Sequence, residues 1–132
     1  MSPEEFADAA EALLGAPFLL GGRDPSAGLD CIGLAACALG GVDAPVGYAL
    51  RNASIERHLG FAARAGFALC DLPMARGDLI LAVPGPAQHH LLVALGGERF
   101  VHAHAGLRRV ALHEGPLRWP MQARWRLLQE KD

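Results

Sequence analysis

The stretch Gly28-Leu-Asp-Cys-Ile-Gly-Leu-Ala-Ala-Cys-Ala-Leu39 decides how the rest of the chain is read. From Cys31 to Leu39 it is apolar on every side and built largely of small residues, as expected of a short helix buried against a sheet. Asp30 stands at its start. Residues 15–28 before it are rich in glycine and contain Pro17 and Pro25, so they are expected to form a shaped loop rather than a regular element. Further upstream, Ser2-Pro-Glu-Glu5 has the signature of a helix start: a hydroxyl cap, proline in the first turn, and acids at the positive end of the dipole. Phe6, Ala9, Ala10, Leu13 and Leu14 then recur at helical spacing up to Gly15.

Downstream, the glycine and proline stretch 40–47 precedes an expected amphipathic helix over 54–65, capped by Ser54 with Glu56 in its first turn. Beyond Cys70 the texture changes. Residues 78–83, 90–95, 99–103, 108–112 and 124–128 are short apolar or alternating runs separated by Gly, Pro or polar residues, which predicts strands. Helices first and a mostly antiparallel sheet second is the α+β pattern. No internal repeat or linker divides the chain, so residues 1–132 are expected to form one domain.

Composition narrows the function classes. With 52% hydrophobic and 20% charged residues, the chain has the makings of a real core and is not a disordered polymer. Its formal charge of −2 offers no basic field for a nucleic-acid backbone. No apolar run reaches the roughly 18 to 20 residues that a membrane-spanning helix needs. The start, with Glu4, Glu5, Asp8 and Glu11 and no early Lys or Arg, is the reverse of a secretory signal. Three cysteines, Cys31, Cys37 and Cys70, make no disulfide framework and no C-x-x-C pair.

Chemistry concentrates at Cys31 and in the histidines. Cys31 opens a helix after a glycine-rich loop, where free N–H groups and the helix dipole are expected to lower the thiol pKa from about 8.5 and to receive an oxyanion. A nucleophilic cysteine needs a base, and the base needs an orienting partner. His89, His90, His102 and His104 all fall within residues 89–104. His89 and His90 point to opposite faces of a strand, so only one can be the base. His104 shares a face with His102 and is its rival as partner. A two-residue Gly96-Gly97 turn would put His90 and His102 on opposite faces, whereas a three-residue loop makes them direct or diagonal neighbours. The catalytic reading therefore predicts an odd loop with a left-handed glycine. His90, His102 and His104 could also suggest a zinc site, but no carboxylate joins them and zinc there would block Cys31. Neither a metal nor an organic cofactor is expected. His58, His113 and the arginines at 108, 109, 118, 124 and 126 read as surface residues, and Arg23 and Asp24 as solvated or turn-forming.

The ordered runs Gly15-Ala-Pro-Phe-Leu-Leu-Gly-Gly-Arg23, Gly28-Leu-Asp-Cys-Ile-Gly-Leu34, Arg76-Gly-Asp-Leu-Ile-Leu81, His90-Leu-Leu-Val-Ala-Leu-Gly96 and Arg99-Phe-Val-His-Ala103 resemble an NlpC/P60 cysteine peptidase. Cys-Ile-Gly-Leu in place of Cys-Ser-Gly-Leu looks most like the branch found in phage tails and gene transfer agents. The resemblance implies a papain-like α+β fold in which Cys31 attacks an amide carbonyl, His90 is general base and acid, and His102 orients His90. It implies stem peptides of bacterial peptidoglycan as substrate, typically cut after γ-D-glutamate and before a diamino acid. Asp30 aligns with a residue that helps to hold the free amino end of the stem, and Arg23 is a candidate contact to its acidic groups. Phe18 replaces the family's tyrosine and Ile32 its serine, both at positions that bear on substrate recognition or the oxyanion. Two other outcomes are a catalytically silent structural or binding module of a phage-like tail, and a thioester acyltransferase. The signal-free start leads to the expectation of cytoplasmic synthesis and delivery to the wall by a tail particle or by lysis, with tail proteins as partners.

Overall fold

The computed structural model describes residues 1–41 and 56–128. Its elements are α1 (Pro3–Glu11), β1 (Arg23–Asp24), β2 (Gly28–Leu29), α2 (Cys31–Ala38), α3 (Glu56–Arg64), β3 (Phe67–Leu69), β4 (Leu79–Ala82), β5 (His90–Gly96), β6 (Arg99–His104), β7 (Arg109–Glu114) and β8 (Met121–Leu127). The expected Ser54 cap and residues 42–47 lie outside the described residues.

The sheet is antiparallel and six-stranded, in the order β3-β8-β4-β5-β6-β7. Its centre is β4, where Leu79, Ile80, Leu81 and Ala82 are all fully buried. A strand covered on both faces has no wet side to alternate toward, which is why it reads as an unbroken apolar run. Alternation sorts the remaining strands. Leu79, Leu81, Leu91, Val93, Val101, Ala103 and Trp125 face the main core with Phe6, Ala10, Ile32, Leu34 and Phe61 of the helices. Ile80, Ala82, Leu92, Ala94 and Phe100 face the other way, under Leu117 and Trp119.

Helix α1 forms for the reasons its sequence offers. Ser2 accepts from the Glu5 N–H while Glu5 accepts from the Ser2 N–H, a reciprocal cap whose loss typically costs about 1 kcal/mol. The helix stops at Glu11, short of Gly15, because a run of turns carries the chain to β7, where the Gly15 N–H donates to the Val110 carbonyl. The acidic residues of α1 have a structural use. Glu4, Asp8 and Glu11 all bind the Arg76 guanidinium, at 2.9, 2.6 and 3.0 Å, tying the helix to the loop before β4.

The glycine-rich segment is pinned on both sides. Phe18 donates to Arg108 and Val110 donates to Ala16, while Leu29 donates to Pro17 and accepts from Leu19. Contrary to the expectation of a loop without regular structure, it contains the two-residue ribbon β1–β2. Gly33 of α2 is required by the approach of this loop, since a Cβ there would collide with the Gly22 carbonyl oxygen.

Asp78, fully buried at the start of β4, forms a further anchor. It binds Arg124 at 2.6 Å and Arg126 at 2.8 and 3.1 Å, and accepts from the Ala75 N–H. These arginines also donate to the Leu72 and Pro73 carbonyls. The expectation that Arg124 and Arg126 line exposed strand faces is therefore corrected: they compensate a carboxylate that burial alone would penalise heavily. No helix among the described residues is long and apolar enough to cross a membrane.

Candidate active site

Cys31 is the first residue of α2, and Asp30 is the N-cap, its carboxylate accepting from the Gly33 N–H at 2.8 Å. The same carboxylate accepts from the Gly21 N–H at 2.7 Å and from Arg23 at 2.9 Å, and Asp30 is 2% exposed. It therefore holds the loop and the helix together, and a substrate group reaching it would have to compete with these three donors. Arg23 spends its guanidinium on Asp30 and the Gly22 carbonyl. Phe18 is half-buried against the core, and Ile32 is wholly enclosed in it. Of Ile32, expected to bear on substrate recognition or the oxyanion, the side chain is enclosed in the core and the backbone N–H acts on the Cys31 sulfur.

The thiol is the second correction. A helix N-terminus was expected to lower its pKa, yet dense protein around the sulfur and the neighbouring Asp30 charge push it up to about 12. The Leu91 and Ile32 backbone N–H groups and Arg23 act in the opposite sense and do not overcome that penalty. The Leu91 interaction also locates the site. It brings the sulfur to the beginning of β5, against the peptide unit that joins His90 to Leu91.

His90 Nε2 lies 2.8 Å from His102 Nδ1, with the rings nearly perpendicular. The turn brings this about in an unexpected way. Gly97 and Glu98, both with φ near +60°, form a two-residue turn closed by Gly96 and Arg99, where an odd loop was expected. A bulge between Ala94 and Gly96 supplies the odd residue and restores Ala94 opposite Phe100. Continuing that register places His90 and His102 diagonally on one face. Burial first, and then the neighbouring imidazoles, lower the His90 pKa to about 3 and that of His102 to about 4. At neutral pH the site holds a thiol and two neutral imidazoles.

The other histidines take distinct places. His58 of α3, expected at the surface, is buried, and its ring lies 5.9 Å from that of His89. His104 accepts from the Leu107 N–H at 3.1 Å and packs edge-on to His102. His113, also expected at the surface, is half-buried, with its Nε2 3.0 Å from the Pro116 carbonyl oxygen. Trp119, which the sequence reading passed over, stacks edge-on against both His90 and His102 at 5.6 and 6.1 Å between ring centres. Its only signal was an aromatic residue in the segment leading to the last strand. No three His, Cys, Asp or Glu side chains among the described residues converge as metal ligands.

The fold recurs in solved structures. The P60 domain of antigen MAP1204 from Mycobacterium avium subspecies paratuberculosis superposes with a TM-score of 0.64 at 25% identity, covering 98% of this chain and 96% of that one. The peptidoglycan hydrolase RipB from Mycobacterium tuberculosis gives 0.63 at 25%, covering 98% and 65%. NlpC2 from Trichomonas vaginalis gives 0.69 at 19%, covering 98% and 48%, a likeness of fold alone. The chain spans less than half the length of that Trichomonas protein, and 42% of an NLP/P60 family lipoprotein-like protein from Staphylococcus aureus. No curated protein gives a significant match. The NlpC/P60 family profile matches residues 15–123, from the pinned glycine-rich loop through the histidine strands into β8, so this chain, with its papain-like α+β fold, belongs to the NlpC/P60 family.

Proposed function

We propose that the protein is a cysteine peptidase that cuts stem peptides of bacterial peptidoglycan through a thioester on Cys31. The observation that carries this reading is the 2.8 Å contact between His90 and His102 at the strand end to which the α2 N-terminus delivers Cys31. In this reading His90 Nδ1 takes the Cys31 proton, which requires the resting proton of His90 to sit on Nε2 and to be donated to His102 Nδ1. The sulfur attacks the amide carbonyl, and the first-turn N–H groups of α2, including that of Cys31, receive the oxyanion. His90 then protonates the departing amine and activates the water that hydrolyses the thioester. His102 is a positioning residue. It fixes the tautomer and orientation of His90 without touching substrate.

The bond after γ-D-glutamate and before a diamino acid is the one the family resemblance supports, and the Cys-Ile-Gly-Leu motif supports carriage by a phage-like tail. The high thiol pKa favours one rival, a silent module that keeps the fold without turnover. One experiment separates them. Purified protein incubated with peptidoglycan should release stem-peptide fragments with new amino ends, and Cys31→Ala should release none. Equal release by both proteins would refute the peptidase, and no release by either would favour the silent module.

A further inference from the structure

Behind the His90–His102 pair, on the sheet face away from α1 and α2, lies a cavity of about 190 Å³ that the proposed chemistry does not use. At ~30 Å³ per molecule it has room for about six waters. Its polar lining consists of His102, His104, His113, Arg118 and Trp119, with Leu117 among the apolar walls and no Asp or Glu.

The hydrogen bonds around the cavity dictate what it offers a ligand. In the tautomer that the proposed mechanism requires, His102 Nδ1 accepts from His90, so its own proton sits on Nε2, and no described residue partners that atom. His104 uses Nδ1 to accept from Leu107, so its proton also sits on Nε2. Arg118 has no ion pair among the described residues and adds a full positive charge, and Trp119 carries an indole N–H donor. His113 spends its Nε2–H on the Pro116 carbonyl, which leaves its Nδ1 as an acceptor; the other polar groups are donors and one cation without a compensating carboxylate, which suits a small planar anion.

We propose that this cavity is a carboxylate subsite whose occupant accepts the His102 Nε2–H and so strengthens His90 as the base for Cys31. The inference rests on the roles given above to Cys31 and His90. It adds a third member to the relay: an anion beyond His102 polarises that ring, which becomes a better acceptor for the His90 Nε2–H. A neutral imidazole alone stabilises a developing imidazolium less than a carboxylate would. The carboxylate comes either from a free small acid or from the C-terminus of a peptide.

The test uses the whole chain, with acetate and N-acetyl-D-alanine as probes and acetamide as the neutral control, at constant ionic strength. Imidazole resonances of His102 and His104 should shift saturably with both acids and not with acetamide. Alkylation of Cys31 at fixed pH should accelerate by about tenfold, the effect of one pKa unit in the base. Arg118→Gln, a change at an exposed position, should weaken both responses. Tighter saturation by N-acetyl-D-alanine assigns the site to peptide ends, and equal saturation assigns it to carboxylates in general. Absence of saturable shifts, responses unchanged in Arg118→Gln, or binding without acceleration would each overturn the proposal. Cys31→Ala should keep the resonance shifts, so failure to cut peptidoglycan and failure to bind an acid are read separately.

Discussion

At Cys31 the helix N-terminus and the Leu91 N–H favour a thiolate, while burial and Asp30 favour a thiol and prevail. Asp30 is not dispensable, because it caps α2 and holds both Gly21 and Arg23. In the mechanism proposed above, the nucleophile is accordingly made at the moment of attack by transfer to His90, in contrast to a standing thiolate–imidazolium pair. With a pKa of about 12, the thiolate fraction at pH 7 is on the order of one in 10⁵. Alkylation of Cys31 by iodoacetamide should accordingly rise by about tenfold per pH unit from pH 7 to 10. A rate already level below pH 8 would contradict this and establish a preformed ion pair. The candidate residues were legible because a cysteine after a glycine-rich loop and histidines twelve positions apart are local features. The protonation state was not, since it depends on how much protein closes over the sulfur and on where the Asp30 charge is held. Asp78 was missed although alternation offered a signal: Arg124 and Arg126 share one face of β8, and the register Leu79 to Trp125 puts Asp78 beside them.

The element on which the site depends most is the β5–β6 hairpin. Strand parity requires one extra residue between the strands if His90 and His102 are to meet. The expected place for that residue is the loop, whereas the structure puts it in a bulge beside a two-residue turn. The distinction was not readable from the run Leu95-Gly-Gly-Glu98, because Glu98 adopts a left-handed conformation (φ +57°) that a non-glycine residue takes only at some cost. Gly96, at φ +87°, is where the bulge needs a glycine. Gly96→Val should cost about 1–3 kcal/mol through backbone strain and favour a regular ladder in which Leu95 pairs with Phe100. That slip moves His102 to the face opposite His90. The measurement is the imidazole N–H resonance of the His90–His102 bond, expected to be lost together with a lower melting temperature. An unchanged resonance would show that the hairpin register does not depend on Gly96.

Over the whole molecule, the α+β class and most elements followed from periodicity, while the compensation of buried charge did not, because its partners lie far apart in the chain. Three buried titratable groups make folding depend on pH. Burial pushes the Asp78 pKa up, but the hydrogen bond from Arg126, together with the Ala75 N–H and Arg124, keeps it below its ordinary value of 3.8, so its contribution is lost only in strong acid. The histidines act earlier. His90 and His102 are lowered from 6.5 to about 3 and 4, so the stability they contribute is complete above pH 6.5 and is lost as pH falls. In that window unfolding binds up to two extra protons, at about 1.4 kcal/mol per proton per pH unit. Against a net stability of ~5–15 kcal/mol for a domain, a fall of two pH units is enough to threaten the fold. Urea unfolding of the wild-type chain at pH 7, 6, 5 and 4.5 should show this decline, and His102→Gln should reduce its slope by about 1.4 kcal/mol per pH unit by removing one of the two protons. The difference between the two proteins cancels the remaining histidines. Parallel declines would mean that His102 is not held neutral by the fold, and the proposed proton path from Cys31 through His90 would then need another partner.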